Sequence, residues 1–538
     1  MEIILTLVIA IPLLGVLGIL LVRNSDELVK WVALFTASAS FVLSLPLLFN
    51  MDPGTINYII ESEPLISGYD VKFLMGLDGL SMMLFMLTTF IGPIVILSAW
   101  RTITEHVAAF YSLILIFLTG SLGVFAAMDL FIFYIFFELT VFPVYFLIGI
   151  WGGANRLHAT IKFFLYTLVG WLIMLIALIF VGYAAGDLAG EGIRFTTDWR
   201  ILSDPNFQLG LVEQTYLFLA FALALFIKVP IFPFHTWLPH AHTEAPTAGS
   251  VLLAAITLKM GTYGIVRFML PMFPNAVIEF APYVAVLAVI GIIYGALVAM
   301  VQKDVKKLVA YSSVSHMGFV MLGIFTFNSI GMQGALLQMV NHGLATGALF
   351  LIVGMIYERR HSRMIADFGG VAKVMPVFAV MFMIATLASI GLPGLNGFVG
   401  EFLILMGTFN SDVLTNIWFT ILATSGVILA AAYMLWMYRR VMFGQLDKEE
   451  NKKLTDINAR EIGLLLPLML FMVWIGIRPG DFMQFSEQAV DKLLDQTHEK
   501  ASVIQSNSDP EELPSWAGWV YDRDLTSVVA AEIKNQED

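Results

Sequence analysis

Residues 218–235 read FLAFALALFIKVPIFPFH, an apolar stretch interrupted by one lysine, Lys228, and two prolines. Pro230 and Pro233 lack the backbone N–H that a helix interior needs, and each biases the residue before it away from helical backbone. A helix break at membrane depth is tolerated only where the freed backbone groups meet protein or water. The stretch therefore predicts a membrane helix that breaks beside a buried lysine.

A second stretch, residues 390–401, reads IGLPGLNGFVGE and places Glu401 just past a break at Pro393 and Gly394. The two breaks fall in the seventh and twelfth apolar stretches of the chain, five spans apart. Because five is odd, a repeat of that length has opposite orientations in the membrane. The pattern predicts an inverted repeat of spans 4–8 and 9–13, and paired discontinuous helices mark the working site of many transporters.

The composition excludes a soluble enzyme. Hydrophobic residues make up 59% of the 538 residues and charged residues 13%, whereas soluble chains are roughly 45–50% apolar and 25% charged. A membrane helix needs about 20 mostly apolar residues, and we predict an all-α polytopic membrane protein of about fourteen transmembrane helices. The apolar stretches lie near 3–22, 29–49, 76–98, 107–126, 128–150, 162–185, 214–236, 246–270, 276–300, 308–327, 332–356, 374–409, 415–438 and 461–477.

These stretches divide the chain into five parts. The predicted parts are spans 1–3 (1–106), the first repeat half (107–270), the second repeat half (276–443), a cytoplasmic loop with span 14 (444–478) and an acidic polar tail (479–538). From Asp481 onward thirteen acids face four bases, which accounts for −9 of the net charge of −12. The tail holds an amphipathic segment at 485–494 and an apolar patch at 516–529, and we expect it to pack, solvated, on the outer face.

Basic residues predict the orientation, because cytoplasmic loops carry an excess of Lys and Arg. When the loops are assigned alternately, one side receives eighteen of these residues and the other side five. The five are Lys72, Arg194, Arg200, Arg267 and Arg478, all near span ends. Both termini are therefore expected on the outer side.

A few ionisable groups remain inside the apolar spans: Glu138, Lys228, Lys259, His316, His342 and Glu401, with His235 at the end of its span. A charge at mid-bilayer costs roughly 2.5–3.5 kcal/mol on the insertion scale, so six unpaired charges would cost on the order of 15 kcal/mol. A buried ion pair, or a histidine whose ring nitrogens are hydrogen-bonded, would explain any single one of these groups. The set is spread over several helices, however, and a chain of titratable groups is what a proton path requires.

The cluster His235, His240 and His242 suggests a metal site, but a water-lined loop end with solvated histidines is the preferred interpretation. The chain has no cysteine, which excludes thiolate metal sites and iron–sulfur clusters within it. We therefore predict no metal or cofactor site in this chain, and its charge balance does not suggest nucleic acid as a partner.

Over roughly residues 70–445 the chain resembles the antiporter-like membrane subunits of respiratory complex I. The resemblance is carried by GLDGLS (76–81), the Glu138 segment with WGG (151–153), KVPIFPFHTWLPHAHTEAPT (228–247), KMGTYG (259–264), Lys307 with AYSSVSHMG (310–318), NHG (341–343) and GLPGLNGFVGE (391–401). A glutamate at position 401 is similar to one branch of that family, since the sister subunits usually have lysine there.

The resemblance implies roles for single residues. Glu138 would pair with Lys228, and Lys259, His316 and His342 would continue a central hydrophilic axis that ends at Glu401. His235 would belong to the Lys228 branch. Protons would be pumped when quinone reduction elsewhere in the complex sends a conformational or electrostatic signal along the membrane arm.

The resemblance also implies the surroundings of the chain. NADH, FMN, iron–sulfur clusters and quinone would be bound by other subunits. The partners would be other membrane-arm subunits, including neighbouring antiporter-like ones, and the lipid bilayer of a bacterial inner membrane. Two other hypotheses stay open: a subunit of a sodium/proton antiporter or membrane hydrogenase without NADH:quinone chemistry, and a structural scaffold in which the buried charges are relic ion pairs.

Overall fold

The computed structural model describes residues 1–66 and 68–507, and it confirms the predicted all-α membrane class. Within these described residues, eleven helices are long and apolar enough to cross a membrane. Each predicted apolar stretch is helical. The spans begin and end at Glu2–Leu21, Asp26–Phe49, Met82–Ser98, Val107–Ala126, Leu130–Trp151, Arg156–Ala185, Leu211–Lys228 with Leu238–Glu244, Thr247–Met272, Pro274–Met300, Val305–Ile324, Ser329–Arg360, Pro376–Ser389 with Asn396–Phe409, Trp418–Met442 and Ala459–Ile477.

Spans 7 and 12 are broken where the prolines predict. In span 7 the first helix ends at Lys228, and a non-helical stretch leads to the short helix Leu238–Glu244. In span 12 the break between Ser389 and Asn396 contains Gly391 and Gly394, whose φ angles are 72° and 91°. Glycine adopts this left-handed backbone without a Cβ penalty, so the chain can turn there and restart a helix that carries Glu401.

One face of the bundle, which we call the hairpin face, carries the only β-sheet among the described residues. Strands β1 (Asn57–Glu61) and β2 (Leu74–Leu77) pair antiparallel. Glu61 receives hydrogen bonds of 2.9 and 3.0 Å from the Arg200 guanidinium and lies 3.2 Å from Lys72 Nζ. The bonds from Arg200 hold the pKa of Glu61 at about 2, well below its usual range. This ion-pair network ties the hairpin to the short helix Trp199–Leu202.

The C-terminal helix Glu487–Asn507 lies against the hairpin face. It is longer than the amphipathic segment predicted at 485–494. Its Lys500 side chain is buried, and Nζ donates a 2.8 Å hydrogen bond to Leu202 O and lies 4.9 Å from the Phe207 ring centroid. The apolar patch predicted at 516–529 lies outside the described residues.

We call the opposite face the arginine-rich face. It carries basic loops that the sequence analysis assigned to the side with eighteen Lys and Arg residues. Arg359 lies 2.7 Å from Glu461, and Arg363 lies 3.3 Å from Asp304. These ion pairs connect the ends of spans 10, 11 and 14. Shorter helices at this face are Ile365–Asp367, Val371–Lys373 and Glu449–Lys452.

One of the five basic residues assigned to the hairpin side is not a surface charge. Arg267 is 0% exposed, inside span 8, and its Nη2 lies 2.5 Å from Asp78 Oδ1. It lies near the Met272 end of span 8, as predicted, but a buried carboxylate just before span 3 neutralises it within the bundle.

Candidate functional site

Span 8, which carries Lys259, is buried along its length but is not a regular helix. Its α-helical centre, Leu258–Gly264, is flanked by two π-helical segments, Leu253–Thr257 and Ile265–Met269. Wider π turns disturb the regular hydrogen-bond ladder and are frequent at functional sites. The Lys259 ammonium donates a hydrogen bond to the carbonyl of Ala254, within the first of these segments. Backbone geometry thus supplies a polar partner for an amine that is 0% exposed.

Lys259 also contacts the histidine that the sequence singled out on span 11. Its Nζ lies 2.6 Å from His342 Nδ1. When Lys259 is protonated, its ammonium has no lone pair and donates to Nδ1, and the proton of a neutral His342 ring is then on Nε2. That Nε2 atom is buried and has no hydrogen-bond partner within the described part of the chain. The pair is therefore arranged so that a proton received at Nδ1 can be released at the other ring nitrogen.

His316, on span 10, connects His342 to Glu401 on span 12. The two imidazole centroids lie 5.8 Å apart. His316 Nδ1 lies 3.0 Å from Glu401 Oε1, and its Nε2 lies 3.3 Å from the Ser389 hydroxyl. Glu401 is 3% exposed and His316 is 4% exposed. The structure thus places Lys259, His342, His316 and Glu401 in one continuous buried row.

Amide side chains fix the Glu401 end of this row. Gln338 Nε2 donates a 3.2 Å hydrogen bond to Glu401 Oε1, and Asn341 Nδ2 donates to Gln338 Oε1 at 3.3 Å. Asn341 Nδ2 also donates at 2.8 Å to the carbonyl of Asn396, the first residue of the second half-helix of span 12. The break in span 12 is therefore held by span 11.

In the first half of the bundle, Lys228 and Glu138 are not in contact. No carboxylate oxygen of a described residue lies within 4.0 Å of Lys228 Nζ. Lys228, which is 1% exposed, lies 3.3 Å from Thr140 Oγ1 and 4.4 Å from the Phe137 ring centroid. Glu138 is half-buried, and its Oε2 atom has no hydrogen-bond partner among the residues that the structure describes. The direct pairing implied by the resemblance is absent from this arrangement.

The three histidines of the 228–247 segment lie in three different environments. His235 packs against the Tyr294 ring at 5.1 Å, whereas His240 packs against His158 at 5.5 Å. His242 is 0% exposed and stacks on Phe350 with centroids 4.6 Å apart. The expectation of solvated histidines was wrong for His235 and His242, because both are enclosed by neighbouring spans. Among the described residues, no three His, Asp or Glu side chains are grouped so that they could hold a metal ion.

His242 was not predicted as a site residue on its own. In residues 1–66 and 68–507, neither of its buried ring nitrogens has a hydrogen-bond partner, and Lys259, Lys306 and His342 are its titratable neighbours. A buried imidazole without partners is costly, so its position beside the row of titratable groups is informative. The only sequence signal was its place in the polar segment after the break in span 7.

Comparisons with known proteins show the family of the chain and its fold. Residues 127–430 match the family model described as "NADH:quinone oxidoreductase/Mrp antiporter, TM". The chain is 44% identical to NADH-quinone oxidoreductase subunit M of Rhodobacter capsulatus, over 88% of this chain and 92% of the relative. It is 40% identical to NADH-ubiquinone oxidoreductase chain 4 of Marchantia polymorpha, over 90% of this chain and 96% of the relative.

Solved structures show the same architecture. A chain of respiratory complex I from Thermus thermophilus with bound NADH superposes with a TM-score of 0.81 at 33% identity, covering 92% of this chain and 99% of that one. A chain of the Mrp complex of a Dietzia species has a TM-score of 0.77 at 22% identity, covering 93% and 99%, which shows a shared fold only. The chain belongs to the NADH:quinone oxidoreductase/Mrp antiporter transmembrane family.

Proposed function

We propose that this chain is a proton-translocating membrane-arm subunit of a complex-I-type NADH:quinone oxidoreductase. Quinone reduction elsewhere in the complex would drive protons along a set of ionisable residues, with His235 and His242 beside them. These residues are Glu138, Lys228, Lys259, His342, His316 and Glu401. The observation that carries the proposal is the row from Lys259 to Glu401. Lys259 lies 2.6 Å from His342, the rings of His342 and His316 are 5.8 Å apart between centroids, and His316 lies 3.0 Å from Glu401.

Burial gives these groups their chemistry. In a dry interior, the charged form of each group depends strongly on whether an opposite charge or a hydrogen-bond donor is nearby. A small movement of one side chain can therefore change where a proton rests. Moving one proton against 100 mV takes about 2.3 kcal/mol, which is comparable to forming or breaking one buried charged contact. The row is thus suited to coupling side-chain movement to proton transfer.

The wider arrangement follows from the same proposal. Spans 4–8 (107–270) and 9–13 (276–443) would form the two inverted half-channels, with the two breaks at equivalent places. The arginine-rich face would be cytoplasmic, which puts both termini on the outer side of a bacterial inner membrane. This orientation is supported by the gathering of Arg359, Arg363 and their neighbours at one face.

Redox chemistry would take place outside this chain. NADH, FMN, iron–sulfur clusters and quinone would be held by other subunits, and neighbouring antiporter-like subunits would lie beside this one in the membrane arm. The relatives' names, which specify NADH and quinone, support this assignment. Since the fold is shared with a chain of the Mrp complex, the alternative is a sodium/proton antiporter subunit, and an experiment must distinguish it from the proposed function.

The test uses the complete complex in inverted membrane vesicles. We expect Lys228→Ala and Glu138→Ala to reduce NADH-driven acidification of the vesicle lumen strongly, while the complex stays assembled. Lys303→Ala is the matched control, because Lys303 is exposed at the arginine-rich face and distant from the row. Full pumping in either correctly assembled variant would rule out the assigned role of that residue.

Co-purification separates the proposal from its alternative. A tagged chain extracted in mild detergent should bring flavin- and iron–sulfur-bearing subunits with it, together with NADH:quinone activity. If an intact preparation contains only small hydrophobic partners and exchanges sodium for protons, the antiporter assignment replaces ours.

A further inference from the structure

The unpaired state of Lys228 has a specific cause in its surroundings. The lysine ends the first half-helix of span 7, and its ammonium meets the Thr140 hydroxyl at 3.3 Å and the face of the Phe137 ring at 4.4 Å. A hydroxyl oxygen and an aromatic face both favour a cation. Lys228 thus has two attractive neighbours in span 5, and neither of them is Glu138.

Thr140 is oriented to accept a hydrogen bond from Lys228. Its hydroxyl donates its single hydrogen to Phe137 O at 2.7 Å, which leaves the oxygen lone pairs free. The side chain is 1% exposed, and its methyl group packs against Gly120, where an added Cβ would lie 3.0 Å from it. The methyl contact and the bond to Phe137 together hold the hydroxyl in one direction, toward Lys228.

Thr140 and Glu138 offer Lys228 alternative partners. The two residues are two positions apart in one span, and side chains at that spacing do not share a helix face. Lys228 bound to Thr140 therefore leaves the carboxylate alone, in agreement with the unpartnered Oε2 atom of Glu138. The second half of the bundle differs, since His316 and Glu401 are in contact at 3.0 Å.

We propose that Thr140 is a positioning residue for proton transfer: its hydroxyl holds Lys228 away from Glu138, and exchange of the ammonium between hydroxyl and carboxylate is a step of each transport cycle. The inference rests on the proposed function. Without the hydroxyl, Lys228 would stay on the carboxylate, and each cycle would have to break that ion pair with no second polar partner available.

The test compares variants that separate the hydroxyl from the methyl group. Thr140→Val keeps the methyl packing and removes the hydroxyl, while Thr140→Ser keeps the hydroxyl and removes the methyl. We expect Thr140→Val to slow proton pumping about tenfold, the effect of one hydrogen bond of ~1.4 kcal/mol, and Thr140→Ser to pump close to the wild-type rate. The KM values for NADH and quinone should not change, because neither is bound by this residue.

A merely structural Thr140 would give the opposite pattern, with Ser impaired and Val normal, and that result overturns the proposal. Equal loss in both variants, or normal pumping in Thr140→Val, overturns it as well. If Thr140→Val does not assemble, Thr140→Ala takes its place, since Ala and Ser differ only by the hydroxyl. Thr88→Val is the matched control: Thr88 is 0% exposed, and its hydroxyl bonds only to Leu84 O in its own helix.

Lys228→Ala is measured in the same preparation. If Lys228→Ala pumps fully, the proposed function of the lysine fails. If Lys228→Ala abolishes pumping while Thr140→Val pumps normally, only the role of Thr140 fails.

Discussion

The buried ion pair between Arg267 and Asp78 gives the sharpest prediction of stability. Arg267 is 0% exposed, and its Nη2 lies 2.5 Å from Asp78 Oδ1. Its Nε donates a 3.0 Å hydrogen bond to the Tyr263 hydroxyl, and its guanidinium carbon lies 5.1 Å from the Trp199 ring. The carboxylate of Asp78 is the only negative charge that contacts this guanidinium among the described residues.

Asp78→Ala removes that charge and leaves the guanidinium buried. Removal of one partner of a buried ion pair costs about 3–5 kcal/mol, and roughly 1.4 kcal/mol is a tenfold change in an equilibrium. The packing of span 3 against span 8 should therefore weaken roughly 100- to 1,000-fold or more. Span 8 also carries Lys259, so we expect pumping to fall together with stability.

The assay is the amount of assembled complex in membranes, together with the melting temperature of the purified complex. We expect Asp78→Ala to lower both. The double variant Asp78→Asn with Arg267→Met should recover much of the loss, because an apolar chain of similar length replaces an unpaired charge. Glu63→Ala, an exposed carboxylate of the hairpin face, is the control. An Asp78→Ala complex that assembles and melts like the wild type refutes the reasoning.

Two further predictions concern the C-terminal helix and the break in span 12. Burial lowers the pKa of Lys500 to about 7 when the C-terminal helix is docked, whereas a free lysine titrates at about 10.4. Between these two pH values the undocked helix binds more protons than the docked helix. Docking of the helix should therefore become more stable as the pH rises from about 7 to about 10. The measurement is hydrogen exchange of the C-terminal helix in the purified complex, where Lys500→Met should remove this pH dependence of docking. If the variant keeps the same pH dependence, a group other than Lys500 causes it. Gly391→Ala should reduce pumping at least several-fold, because Gly391 has a φ of 72° and an added Cβ would lie 2.8 Å from Glu401 Oε2. Gly463→Ala is its control, since no atom lies within 4 Å of an added Cβ there; equal pumping by the two alanine variants would contradict a strained turn at Gly391.

Local physics explains why much of the fold could be predicted. Hydropathy and span length are properties of about 20 neighbouring residues, and proline breaks a helix where it stands. The fourteen spans and the breaks after Lys228 and Ser389 therefore follow from the sequence, as does the burial of Lys228, Lys259 and Glu401. The same reasoning did not predict that Arg267 is buried in an ion pair, because its partner Asp78 is 189 residues away and helical periodicity carries no information about it.

The contacts within the site required the tertiary structure. Lys259 meets His342 across 83 residues, and Lys228 meets Thr140 across 88 residues. Sequence spacing can say which residues share the face of one helix, but not which helix that face meets. The π-helical turns beside Lys259 likewise have no local signature, since packing on both sides of span 8 stabilises them. The sequence by itself thus determined that this is a membrane protein with buried titratable groups, whereas helix packing alone decided that Lys259, His342, His316 and Glu401 form a row while Lys228 stands apart from Glu138.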